Sequence, residues 1–238
     1  MEKLLVIHNK YQIPGGEDSN IHDEISHLAN EYEVKYLEFN NIEKFRIFDL
    51  LSLATRTNLT SNRLLKKELD NFKPDAVYVH NTWFKANLGL FKILKKRNIN
   101  TLYKIHNFRY DCSRFFLASN HLRGNRICNA CFFSKQNRIF NKYYDDSYLK
   151  SLLLIFYSKK LFNIIKNHPL KVIVLTDFHR NYLSSLGIPA SKIFTYCNPI
   201  SLNGKRADNT KKNKYAVYAG RLTKEKGVEN LLDSWVST

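Results

Sequence analysis

Leu4-Leu5-Val6-Ile7-His8-Asn9-Lys10-Tyr11-Gln12-Ile13-Pro14-Gly15-Gly16-Glu17 is the stretch from which the fold is read. Leu4 to Ile7 is a short continuous apolar run, the pattern of a strand buried on both faces. Pro14-Gly15-Gly16 breaks the chain. An amphipathic pattern then starts at Ile21, Ile25, Leu28 and Ala29. The order is strand, glycine turn, helix. In an open parallel sheet, the crevice for a ligand lies beyond the carboxyl ends of the strands. The following helix aims N–H groups and a partial positive charge at that crevice. Gly15 and Gly16 either let the backbone approach a ligand closely or make an ordinary tight turn.

Two further stretches repeat one feature of the first. His8-Asn9 closes the run Leu4 to Ile7, His80-Asn81 closes Ala76 to Val79, and His106-Asn107 closes Leu102 to Ile105. Parallel strands put their carboxyl ends on one edge, so the three pairs are expected around one cleft. Imidazole and amide are groups that donate and accept hydrogen bonds, and they suit a polyhydroxylated ligand. The competing reading gives each Asn a turn and each His a place in the packing.

Outward from these strands the alternation continues. Tyr32 to Phe39 reads as a second strand, and Ile42 to Leu59 as a weak helix. Leu64, Leu65, Leu69 and Phe72 form a helix face with Ser61 or Asn62 as N-cap. Leu88, Phe91, Ile93 and Leu94 suggest a helix ending near Asn98. Ser147 to Ile165 is strongly apolar and flanked by lysines. It is expected to pack on the sheet, with a membrane-surface helix as the alternative. Lys171 to Leu175 is a strand, and Thr176 or Asp177 caps a helix that Gly187 and Pro189 stop. Ile193 to Cys197 is the last strand. Strands alternating with helices argue for an α/β fold with a parallel, Rossmann-like sheet over residues 1–200. Residues 201–214 are polar and read as a linker. Residues 215–238 begin a second unit, with a strand Tyr215 to Ala219 and a helix face of Val228, Leu231, Leu232 and Trp235.

Phe108 to Lys135 interrupts the alternation and holds Cys112, Cys128 and Cys131. Cys128-x-x-Cys131 has metal-ligand spacing, with His121 or His106 as a fourth ligand. A reduced cluster of buried thiols is the favoured reading.

Composition limits the function. The 238 residues hold 44% hydrophobic and 13% aromatic side chains, enough to bury a core. The longest apolar run, Leu152 to Tyr157, is far below the roughly 20 residues that span a bilayer. The N-terminus has no signal-peptide pattern, so the cytoplasm is the expected location. With 38 Lys+Arg against 21 Asp+Glu the formal charge is +17. That charge favours anionic membranes or phosphorylated ligands. The basic residues are scattered and match no nucleic-acid module, so specific nucleic-acid binding is not expected.

These motifs, taken together, resemble the amino-terminal part of a family 4 glycosyltransferase, a retaining enzyme of GT-B fold. The resemblance rests on His8-Asn9 with Gly15-Gly16-Glu17, on Val79-His80-Asn81, and on His106-Asn107-Phe108-Arg109 with the later cysteines. It rests also on Val174 to Phe178, on Asn198-Pro199-Ile200, and most specifically on Tyr218-Ala219-Gly220-Arg221-Leu222-Thr223-Lys224-Glu225-Lys226-Gly227. The resemblance implies roles by position. Gly15 and Gly16 match the loop beside the donor phosphates and sugar. His106 matches a catalytic-site histidine next to the transferred sugar. Arg221 and Lys226 match the cations that clamp the nucleotide diphosphate, which would make a metal cofactor unnecessary. His8, Asn9, His80, Asn81 and Asn107 fall on the acceptor side. The implied ligands are a nucleotide-diphosphate-sugar donor and a glycan or lipid-linked acceptor, as in polysaccharide synthesis. The family's second domain carries a Glu-x7-Glu motif that these residues do not reach. The sequence therefore reads as truncated, and the 238 residues alone are expected not to turn over. Two other classes remain beside the transferase: an acceptor-glycan-binding module and a general polyanion binder.

Overall fold

The structure, a computed structural model, describes residues 1–11, 15–41, 51–52, 54–111, 147–199, 217–220, 222 and 226–236. The chain divides into two compact units, Met1–Ser201 and Leu202–Thr238. In the first unit the strands are β1 (Lys3–Lys10), β2 (Glu33–Asn40), β3 (Ala76–Val79), β4 (Asn100–Ile105), β5 (Lys171–Val174) and β6 (Ile193–Thr195). The helices between them are α1 (Gly16–Leu28), α2 (Leu59–Phe72), α3 (Gly89–Lys96), α4 (Tyr148–Asn167) and α5 (Asp177–Ser185). All strand pairs are parallel, in the order β2-β1-β3-β4-β5-β6. This is the doubly wound, Rossmann-like α/β architecture expected from the alternation.

The strand order fixes where the helices go. The chain moves from β1 to β2 in one direction and from β3 to β6 in the other. Right-handed crossovers therefore put α1 on one face and α2 to α5 on the opposite face. The packing of side chains agrees. Leu5, Ile7, Val77, Val79, Tyr103, Ile105, Val172 and Val174 share a core with Leu65 and Leu69 of α2, Leu94 of α3, Leu161 of α4 and Leu183 of α5. Leu4, Val6 and Tyr78, of the other parity, pack with Ile21 of α1. The direction changes between β1 and β3, and a crevice opens at their carboxyl ends.

Local chemistry sets the helix ends. Asn58 caps α2, its side chain accepting from Ser61 N–H at 3.1 Å. The cap lies three residues ahead of the Ser61 expected from sequence, and Leu64 is exposed while Leu65 and Leu69 are buried. Lys73 ends α2 in the left-handed conformation (φ 50°), and Pro74 follows it. Ser147 caps α4 and Thr176 caps α5. At the other end of α4, the Lys192 ammonium donates to the carbonyls of Ile165, Lys166 and His168 at 2.7, 3.2 and 2.6 Å. A cation there satisfies orphan carbonyls and complements the helix dipole. Helix α4 packs on the sheet through Leu154, Tyr157, Leu161, Ile164 and Ile165. Among the described residues no helix is long and apolar enough to cross a membrane.

In the second unit, α6 (Val228–Val236) forms as expected, with Leu231, Leu232 and Trp235 exposed. The strand expected over Tyr215 to Ala219 is absent from its described part, Val217 to Ala219. A strand is held by hydrogen bonds to a neighbour, and the described residues of this unit contain no second strand.

Candidate functional site

The three histidines meet at one rim. His8 lies in β1, and His80 and His106 follow β3 and β4 directly. The His8 and His80 rings are 6.3 Å apart, and His80 stacks on His106 at 5.5 Å. His80 Nδ1 and His106 Nε2 are 3.3 Å apart, within hydrogen-bond distance. His8 and His80 sit beside the β1/β3 switch point.

The asparagines take a different part. His8 and Asn9 lie within β1, where successive residues point to opposite faces, so the pleat splits that pair; the other two pairs lie past the ends of β3 and β4. His8 meets Asp18 of α1 at 3.0 Å. Asn9 is fully buried; its Oδ1 accepts from Ala86 N–H at 2.8 Å and its Nδ2 donates to Lys10 carbonyl at 3.2 Å. Asn81 donates to the Asn9 carbonyl at 2.7 Å and accepts from Trp83 N–H at 3.0 Å. Asn107 accepts from Arg109 N–H at 3.1 Å. The last two bonds, each two residues ahead, are side-chain turns that redirect the chain at the strand ends. Thus the imidazoles gather on the α1 side, while the amides of Asn9 and Asn81 hold the loop after β3.

Beneath the histidines runs a buried polar network. Lys104, fully buried near the carboxyl end of β4, donates to Glu24 Oε2 of α1 at 2.7 Å. Tyr78 O–H donates to Glu24 Oε1 at 2.7 Å. His80 Nε2 lies 3.9 Å from Glu24 Oε2. Burial is the main cause that lowers the pKa of His8 and His80 below the usual imidazole range, and it lowers His106 to about 3. The three rings are therefore neutral at pH 7. Neutral imidazoles bind hydroxyls and amides by hydrogen bonds; they do not grip phosphate as cations would.

Glu17 and Asp18 stand in the first turn of α1, where sequence reading placed only the glycines. Asp18 Oδ2 accepts from Gly15 N–H at 2.8 Å, and Oδ1 accepts from Tyr11 N–H at 3.2 Å. Glu17 Oε2 accepts from Tyr11 O–H at 3.1 Å. Burial pushes the Glu17 carboxyl up to about 7, against the Arg109 guanidinium, which pulls it down. The dipole end of α1 is thus already faced by two carboxyls of its own chain. Gly15 is extended (φ −129°, ψ 179°), a conformation open to any residue, and a Cβ on Gly16 would meet nothing within 4 Å. Neither glycine is required by backbone geometry or by packing within the described chain.

Glu17, His80, Asn81, His106, Asn107 and Arg109 line a cavity at this rim, floored by Tyr103 and Tyr157. Its volume is about 10 Å³, room for one water or one hydroxyl and not for a sugar ring. Arg109 packs over the Trp83 ring at 5.0 Å. Lys226 is described in the second unit. Arg221, Cys112, Cys128, Cys131 and His121 lie outside the described residues. Among the described residues no group of three or more His, Cys, Asp or Glu is arranged to hold a metal ion.

Reading by motif passed over Glu17, Asp18, Glu24, Lys104 and Tyr11. Two of these left a signal. Lys104 interrupts an apolar strand, and Glu24 sits three residues after Ile21 on the buried stripe of α1. A charge on each of two facing apolar surfaces points to a buried pair.

No family model matches this chain, and no curated protein matches it significantly. Solved structures do align with it. UDP-N-acetylglucosamine 2-epimerase from Rickettsia bellii is 15% identical over 83% of this chain and 45% of its own, with a TM-score of 0.43. dTDP-glucose 4,6-dehydratase from Bacillus anthracis, in complex with NAD, is 11% identical over 74% of this chain and 55% of its own, with a TM-score of 0.35. The chain spans about half the length of these two proteins. At such identities and scores, neither alignment bears on the ligand of the rim site; the Rossmann-like class rests on the strand order itself.

Proposed function

We propose that the first unit is the amino-terminal Rossmann-like half of a nucleotide-sugar-dependent, retaining glycosyltransferase, and that its rim receives sugar. The observation that carries this reading is the meeting of His8, His80 and His106 at one rim of the sheet, where His80 and His106 line a cavity the size of one hydroxyl. A sugar ring rests above such a cavity and sends one hydroxyl into it. His106, with Asn107 beside it, takes that hydroxyl; Gly16 leaves open space for the ring. The diphosphate belongs to Arg221 and Lys226 of the second unit, by the resemblance of their motif, and no metal is needed for it. The acceptor is a glycan or a lipid-linked glycan, and the basic surface suits an anionic membrane.

The carboxyls of Glu17 and Asp18 favour a second, narrower reading of this half. A diphosphate beside them meets like charge in the first turn of the helix that would otherwise hold it, and Asp18 also takes the N–H of the N-cap Gly15. A neutral glycan meets neither obstacle. The unit then serves as an acceptor-glycan-binding module.

Saturation-transfer NMR on the full chain with UDP-glucose, UDP-N-acetylglucosamine, UDP and glucose tests both. Saturation concentrated on the sugar protons, lost in His106→Ala, is the expected result. Saturation confined to the base and ribose, or signals unchanged in His106→Ala, overturns the assignment of sugar to this rim.

A further inference from the structure

The first turn of α1 fixes the position of one proton. Both oxygens of Asp18 accept backbone N–H groups, from Gly15 and Tyr11, and Oδ1 also lies 3.0 Å from His8 Nε2. An oxygen in that role accepts, so His8 Nε2 carries the ring hydrogen. His8 is neutral, and its Nδ1 is left as a bare lone pair. That Nδ1 is buried, has no hydrogen-bond partner, and lies 4.0 Å from Glu17 Oε1. Glu17 Oε1 is also buried without a partner, while Oε2 accepts from Tyr11 O–H. An ionised Glu17 would thus turn an acceptor towards an acceptor. A protonated Glu17 turns its hydroxyl there and removes the conflict.

We propose that Glu17 is the proton-bearing group of the rim site: its buried carboxyl, beside Asp18 and the bare His8 Nδ1, is kept neutral, and its one Oε1 hydrogen faces His8 Nδ1 until a ligand oxygen enters the cavity and takes it. Glu17 lines that cavity together with His106 and Arg109. The ligand it selects is a neutral hydroxyl or ether oxygen of a sugar, not a carboxylate or phosphate. The ligand's identity rests on the function proposed above; the proton does not. The groups that bear on Glu17 are named from every side. Tyr11 and His8 face it from β1 and its exit, and Asp18 from α1 itself. Lys104 lies on β4, and Arg109 lies beyond it. Burial and Asp18 favour the neutral form, against Arg109, the Tyr11 hydroxyl and Lys104, which favour the ionised one.

The full chain, labelled with [13C]glutamate and [15N]histidine, is titrated from pH 4 to 9 by NMR, with Glu17→Gln to assign the resonance. The Glu17 carboxyl carbon is expected to titrate at least one pH unit above that of exposed Glu31. His8 is expected to keep an unprotonated Nδ1 throughout. UDP-glucose is then titrated at pH 5.5 and 8.5. Binding is expected to weaken at least threefold at the higher pH in the wild type, and to be independent of pH in Glu17→Gln, which keeps an N–H donor. Titration of Glu17 with the exposed glutamates, or a proton on His8 Nδ1 in the neutral ring, overturns the inference and leaves the sugar reading intact. UDP-glucose binding that ignores pH in the wild type overturns the ligand contact. A raised Glu17 with no sugar binding sustains the proton assignment and removes the sugar reading.

Discussion

The two faces of one sheet are built on opposite terms. Towards α2, α3, α4 and α5 the core is apolar and continuous: Leu154, Ile165, Val172 and Val174 are wholly buried among their own kind. Towards α1 the apolar cluster is small, Leu4, Val6, Ile21 and Tyr78, and beside it lie the Lys104–Glu24 ion pair and three histidines. The first face is stabilised by area removed from water and by close packing. The second depends on pairing, since each of its charges is costly to bury alone and tolerable only with its partner. The imidazoles and the ion pair stand on the face that has given up apolar packing, while the cavity beside His80 and His106 is floored by Tyr103 and Tyr157 of the apolar core.

The largest test of this contrast removes one partner of the buried pair. Lys104→Ala leaves Glu24 buried against Tyr78 without its cation and is expected to cost about 4 kcal/mol. The double variant Glu24→Leu/Lys104→Met removes both charges and is expected to recover most of that loss. Urea unfolding of the three proteins reads the difference. Equal losses in the single and double variants would mean that shape, and not pairing, holds this face. Next comes Leu154→Ala on the apolar face, expected to cost about 3 kcal/mol through lost transfer energy and a residual cavity.

The smallest effect is in pH. The folded-state value of His106, about 3, lies below its ordinary 6.5, so the unfolded chain takes up the proton first. Stability is full above pH 6.5 and falls as the pH drops through that value. One such histidine accounts for about 2 kcal/mol between pH 6.5 and 5. Glu17 has the opposite sign. Its folded value, about 7, exceeds its ordinary 4.5, so it opposes folding increasingly as the pH rises between the two. His106→Gln should flatten the acid limb and Glu17→Gln the neutral one, in thermal melts across pH 4 to 8. If both variants follow the wild-type profile, the α1 face is not the source of the pH dependence.

Much of the fold was legible in the order of residues. Apolar runs such as Ala76 to Val79, between turn residues, read as strands and are strands, and of the two caps the sequence offered for the helix after β5, Thr176 is the one used. The cap of α2 was missed because Asn58, Ser61 and Asn62 are all capable side chains, and which one caps depends on where the preceding loop delivers the chain. The strand proposed for Tyr215 to Ala219 has the right composition, but a strand also needs a neighbour, which composition does not supply.

For the site, the order of residues placed a histidine–asparagine pair after each of three apolar runs, because a repeated dipeptide is a local fact. It did not tell that the imidazoles gather on the α1 side while Asn81 and Asn107 turn the chain and Asn9 holds the loop after β3. Nor did it determine that Glu24 meets Lys104 across 80 residues of sequence, or that Asp18 sets the hydrogen on His8 and so the state of Glu17. Those relations are distances and burial. They arise only when α1 is laid across the strands and water is removed, and both the pairing and the protonation of these groups follow from that exclusion.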